Sequence, residues 1–142
     1  MSETPTYIRN HEAVLAVVGC WSDFHDSPLL SLEYSSEHSR IDLVVHVFEM
    51  TSRVDSRGYL ESKNHHLVDF RFSEVADVDL TRLTVPNTLF EMSFSPPRDF
   101  DLSARFRVGL DSILGPPYEA TFSAASGEVI SVSACDQDGN SA

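Results

Sequence analysis

The spacing of hydrophobic residues changes period once along this chain. Val14, Leu15, Val17 and Val18 fall on one stripe at helical spacing. Asn10 stands where a cap belongs, Glu12 suits the positive end of a helix, and Gly19 suits its close. The segment Cys20–Pro28 follows neither helical nor strand period and reads as a loop.

Beyond it the period is two. Leu30, Leu32 and Tyr34 alternate with Ser31 and Glu33. Ile41–Met50 carries apolar groups on both faces. Ile41, Leu43, Val45 and Val47 lie on one, and Val44, His46, Phe48 and Met50 on the other, as in a central strand covered on both sides. Further strands are expected at His65–Ser73, Ala76–Leu80, Leu89–Phe94 and Phe106–Leu110. Tyr118–Ala124 and Glu128–Cys135 read as a hairpin about Ser126-Gly127. Connections are short enough for antiparallel neighbours. The expected fold is α+β: a mostly antiparallel β-sheet of about seven or eight strands with one short N-terminal helix packed on it. Residues 1–142 form a single domain, with 1–9 and 136–142 expected as flexible tails.

A chain of 142 residues can bury a core without a disulfide or a metal. Its two cysteines, Cys20 and Cys135, form no disulfide framework. Residues 1–9 are polar and Ala13–Val18 is too short for a leader, so a cytoplasmic location is expected. No apolar run is long enough for a membrane span.

Charge narrows the partners. Twenty-two acidic residues against ten basic ones give −12, which repels polyanions and attracts basic proteins. Nucleic acid is therefore excluded as a partner, and no basic patch argues otherwise. The excess also serves solubility. It sits at both ends: residues 1–40 and 119–142 each carry −4, whereas 83–118 carry −1.

Candidate chemistry is sparse. His25, His46, His65 and His66, with Asp26 or Asp111, are metal-ligand types. No HxH, HExxH or CxxC spacing unites them, and adjacent His65 and His66 point to opposite faces of a strand. His46, on a mostly apolar face, reads as a hydrogen-bonded core histidine. His25, Asp26 and Cys20 or a serine could stand in a triad, but no nucleophile motif frames them. Asp23 and Asp26 equally suit backbone-capping turns. Trp21 and Phe24 lie outside any period. They read either as a hydrophobic plug under the loop or as exposed aromatic anchors for a partner.

The order of these features resembles a known group. Trp21-Ser22-Asp23-Phe24-His25-Asp26 precedes Leu29–Leu32. Val45-His46-Val47-Phe48-Glu49-Met50-Thr51 follows, then Asp55, Gly58 and Tyr59. Val68-Asp69-Phe70-Arg71-Phe72, Phe106–Asp111 and Val132-Ser133-Ala134-Cys135 complete the series. Over about residues 10–135 this is similar to the immunity protein 50 family of bacterial polymorphic toxin systems. The resemblance implies a small cytoplasmic antitoxin that binds a cognate toxin protein and blocks it, with no catalytic residues and no cofactor. Its motif falls on Trp21, Phe24, His25, Asp26, His46, Phe48, Glu49 and Asp111. Trp21, Asp23, Phe24, His25, Asp26, Glu49 and Asp111 are the candidate partner-binding residues. Many toxin domains are nucleases with basic surfaces, which an acidic inhibitor would meet quickly. Two alternatives stay open: a metal-dependent hydrolase using His25 and Asp26, and a β module with a ligand pocket between sheet and helix. An open sheet edge permits a homodimer as well as a monomer.

Overall fold

The computed structural model describes residues 4–19, 21, 24, 27–83, 87–89, 91–97, 105–111 and 120–140. In chain order the elements are β1 (Ile8–Arg9), α1 (Glu12–Val18), β2 (Pro28–Ser35), β3 (Arg40–Val54), β4 (Leu60–Ser73) and β5 (Ala76–Asp79). Then follow β6 (Asn87–Thr88), β7 (Glu91–Ser95), β8 (Phe106–Asp111), β9 (Ala120–Ala124) and β10 (Ser126–Ala134). The fold is α+β and mostly antiparallel, as the two-residue period predicts.

The strands form two sheets. One has the order β1-β10-β4-β3-β2-β6 and the other β5-β9-β8-β7. Every pairing is antiparallel except β1 with β10. One face of each sheet is apolar, and these faces meet. Phe72 of β4 reaches Phe122 of β9 at 5.1 Å and Phe106 of β8 at 6.1 Å, ring centre to ring centre. Ile41, Leu43, Val45, Val68, Phe70 and Val129 complete the larger sheet's inner face, and Met92, Val108 and Leu110 the smaller one's. Burying these side chains is the main source of stability.

The helix is short because its period is short. Gly19 adopts φ 90°, a left-handed conformation open to glycine, and its N–H bonds to Leu15 O. α1 packs on β10 and β4. Asn10 does not cap it. His11 holds the cap position, and Asn10 instead donates from Nδ2 to Val129 O at 2.9 Å. This ties the start of the chain to its last strand.

Two expectations need correcting. β9 and β10 do not form a hairpin about Ser126-Gly127. β9 pairs with β8 and β5, whereas β10 pairs with β4 and β1, so the chain changes sheets at Ala125. Gly127 is needed there for closeness: a Cβ would come 2.7 Å from Ile8 Cδ1, 3.0 Å from Phe106 and 3.1 Å from Phe72. Nor are residues 7–9 a tail. Ile8 is fully buried, Tyr7 lies 4.9 Å from the Phe106 ring, and burial raises the Tyr7 phenol to about 12.

β3 and β4 outrun their neighbours. β2 meets β3 only as far as Val45, and β10 meets β4 only as far as His66. The remaining residues form a two-stranded arm closed by Asp55–Tyr59. There Asp55 Oδ1 accepts from the N–H groups of Arg57 and Tyr59, with Gly58 at φ 87°. The same turn recurs at the end of the chain. Asp136 Oδ1 accepts from Asp138 and Asn140, with Gly139 at φ 83°. A repeated D-x-x-G spacing thus encodes one hydrogen-bonded turn twice.

Candidate functional site

The outer face of the six-stranded sheet gathers most of the polar chemistry. Its first part is an open groove of about 340 Å³ lined by Ser31, Glu33, Arg40, Asp42, Val44, Asp69 and Arg71. Strand alternation puts them together: Asp42 pairs with Arg71 and Val44 with Asp69 across β3 and β4. Asp42 holds two arginines. Arg71 Nε donates to its Oδ1 at 2.8 Å, and this bond and charge raise the Arg71 guanidinium further. Arg40 Nε lies 3.1 Å from Oδ2 but off the bonding axis, so that contact is an ion pair and not a hydrogen bond.

Asp69 is held above the usual carboxylate range, first by burial and then by Asp42, with Arg71 opposing. Its sign gives a prediction. The unfolded chain loses this proton near 3.8, and the folded chain only at higher pH, so Asp69 weakens the fold at neutral pH. Asp69→Asn is expected to raise Tm at neutral pH, with the gain fading as pH falls toward 3.8 and vanishing below it. Scanning calorimetry of both proteins across that range checks this. An equal gain at every pH would show that the charge is not the cause.

Further along the same face lies a polar chain. His46 Nε2 is 2.8 Å from His65 Nδ1, and Ser62 Oγ is 3.0 Å from His65 Nε2. His46 is 3% exposed and its ring is held below its ordinary 6.5, chiefly by burial and then by His65. Asp136 and Asp138 of the C-terminal turn oppose that shift, and Gly139 sits against His46 and Leu30. His46 is thus the hydrogen-bonded histidine its period suggests.

The arm carries the two most exposed large apolar side chains among the described residues. Tyr59 is 67% exposed and Val54 59%, and the Arg57 guanidinium lies 5.7 Å from the centre of the Tyr59 ring. Tyrosine and arginine are the residue types on which binding energy concentrates.

Those of the residues singled out from sequence that the structure describes are dispersed. Trp21 is 4% exposed and Phe24 fully buried; Trp21 meets the rings of Phe24, Phe70 and Phe94 edge-on at 5.6, 6.1 and 5.5 Å. The plug reading describes them, and neither ring is a surface anchor. Phe24 also has φ 62°, a conformation that its packing must sustain. Asp23, His25 and Asp26 lie outside the described residues. Glu49 stands in β3 on the arm, paired with Lys63, and Asp111 is buried in β8 of the other sheet. Among the described candidates, Trp21, Phe24, Glu49 and Asp111 therefore share no one surface. Sequence reasoning names His46 and His65 singly but does not bring them together with Ser62, and it does not assemble the groove or the Tyr59 tip. Counting regularly outward from the Val54–Leu60 pair would set His46 opposite Val68; two irregularities in the β3–β4 register bring it opposite Leu67 instead, so sequence alone does not reveal the chain.

His46 and His65 point to each other, while His66 Nδ1 lies 3.1 Å from Asn64 O. Among the described residues no group of three or more His, Cys, Asp or Glu could hold a metal, and no helix is long and apolar enough to cross a membrane. No family model, curated protein or solved structure matches the chain.

Proposed function

We propose that this chain is a cytoplasmic immunity protein that binds a cognate, basic toxin protein and neutralises it without catalysis. The observation that supports this best is an open, charged groove on an outer sheet face, in a chain of net charge −12. Long-range attraction steers a basic partner to such a protein, and Coulomb forces then fix its register. Glu33 and Asp69 offer carboxylates to cationic side chains, while Arg40 and Arg71, already held by Asp42, keep the groove from accepting any cation indiscriminately. Tyr59 and Arg57 on the projecting arm supply the apolar and planar contacts that charge alone lacks. The resemblance of the Trp21–Asp26 and Val45–Thr51 segments to an immunity family points the same way.

The reading is tested by co-expression with the open reading frame immediately upstream in the source genome. That product is expected to be lethal alone and harmless beside this chain, and the purified pair to dissociate as salt rises. Tyr59→Ala is expected to weaken the complex by about tenfold, as for an ordinary interface anchor. An upstream product that is harmless alone, or that kills in the presence of this chain, would remove the proposal.

A further inference from the structure

We infer that Ser62, His65 and His46 form an acyl-accepting site, in which Ser62 is a nucleophile toward small activated carboxylic esters. The inference stands apart from toxin binding and uses no residue of the groove.

The geometry begins with a bulge. Val47 pairs with His66 but Glu49 with Lys63, so β4 has one extra residue opposite Phe48. Ser62 and His65 are three apart and would face opposite ways in a regular strand. The extra residue puts both on the outer face, where Ser62 Oγ meets His65 Nε2 at 3.0 Å. The bulge is a built feature. Asn64 takes φ 58°, and its Nδ2 donates to Val17 O at 2.7 Å, which fastens the strained residue to α1. Phe48 stacks on the His65 ring at 5.6 Å and 26°, limiting its rotation.

Hydrogen bonding then selects the proton positions. For Ser62 to donate to Nε2, His65 must carry its proton on Nδ1, and His46 Nε2, 2.8 Å away, accepts it. The C-terminal turn closes over His46, with Gly139 against its Nδ1 edge, and the charges of Asp136 and Asp138 act on the ring from that turn. The order is hydroxyl, base, acceptor and distant carboxylates, which is the logic of an activated serine. Ser62 is only half-buried, so a small ester can reach it.

The step balances without a cofactor. Ser62 Oγ attacks the ester carbonyl carbon while its proton passes to His65 Nε2. The bond from that carbon to the leaving oxygen then breaks, and the leaving oxygen takes the proton from His65. The products are acyl-Ser62 and an alcohol. His46 is a positioning residue: it holds the His65 tautomer and shares the positive charge while His65 carries the extra proton.

The full-length chain mixed with p-nitrophenyl acetate tests this. A burst of about one nitrophenolate per chain is expected, as in acyl-enzyme accumulation, with the acetyl group mapped to Ser62. Ser62→Ala should abolish the burst, and His65→Ala should slow it about 100-fold, the contribution of a positioned base. His46→Phe, which removes the acceptor for His65 Nδ1, should slow the burst, and His46→Gln, which keeps one, should restore it. Acetylation confined to other residues, an unchanged burst in Ser62→Ala, or no burst in the parent chain would overturn the proposal.

Discussion

Phe72→Ala is expected to lower stability by about 3–5 kcal/mol, the range found when a buried aromatic is truncated in a core that cannot close over the gap. Phe72 is fully buried on β4 and touches four other rings: Phe70, Phe94, Phe106 and Phe122. Three of those belong to the opposing sheet, so its removal loosens the seam between the sheets as well as one strand. Its ring contacts also add to simple area burial, by about 0.5–1.5 kcal/mol per aromatic pair. A domain of this kind has only about 5–15 kcal/mol in total, so the loss is a large share. Urea unfolding followed by far-ultraviolet circular dichroism measures it. A change in midpoint worth less than about 1 kcal/mol, the centre of ordinary point substitutions, would mean that the sheets do not meet at Phe72.

Trp21→Ala is expected to cost a similar amount, about 3–5 kcal/mol. The indole is edge-on to three rings, Phe24, Phe70 and Phe94, and it spans from the loop to both sheets. This experiment also decides between the two readings of the loop. A plug that is lost weakens the fold and leaves partner affinity per folded molecule unchanged. An anchor that is lost weakens the complex and leaves the urea midpoint in place. The burial of Trp21 predicts the first pattern, so a normal midpoint with a weakened complex would overturn the plug reading.

Local patterning carried a large part of this fold and little of its assembly. Alternation along Ile41–Val47 and Val68–Phe72 identifies the inner face residue by residue, because one face must be apolar wherever a sheet covers a core. Gly19 ends the helix for a reason confined to its own dihedral angle. The change of sheets at Ala125 is different. Ser126-Gly127 has the composition of a tight turn, yet its glycine answers to Ile8, Phe72 and Phe106, which come from three distant parts of the chain. The same limit applies to function. Trp21 and Phe24 are conspicuous in sequence because they break period, and they break period because they reach a core built by other strands. Ser62 and His65 draw no notice at a spacing of three, since only an unannounced extra residue in β4 turns them to one side.

The parallel pairing of β1 with β10 has a consequence for biosynthesis. Asn10 and Val129, joined by a hydrogen bond, are 119 positions apart. A nascent chain leaving the ribosome exposes Ile8 long before β10 and must wait for the intervening sequence before that side chain has its final neighbours. Until β10 emerges, the β4 edge is unpaired and Phe72 and Phe106 lack part of their cover, a state open to association with other chains. Contacts of such long sequence separation also slow folding, since the ends must be brought together before they are rewarded. A ribosome stalled shortly before residue 126 would therefore display a partly built sheet that chaperones should recognise, and release of the last strand would be the event that ends this vulnerability.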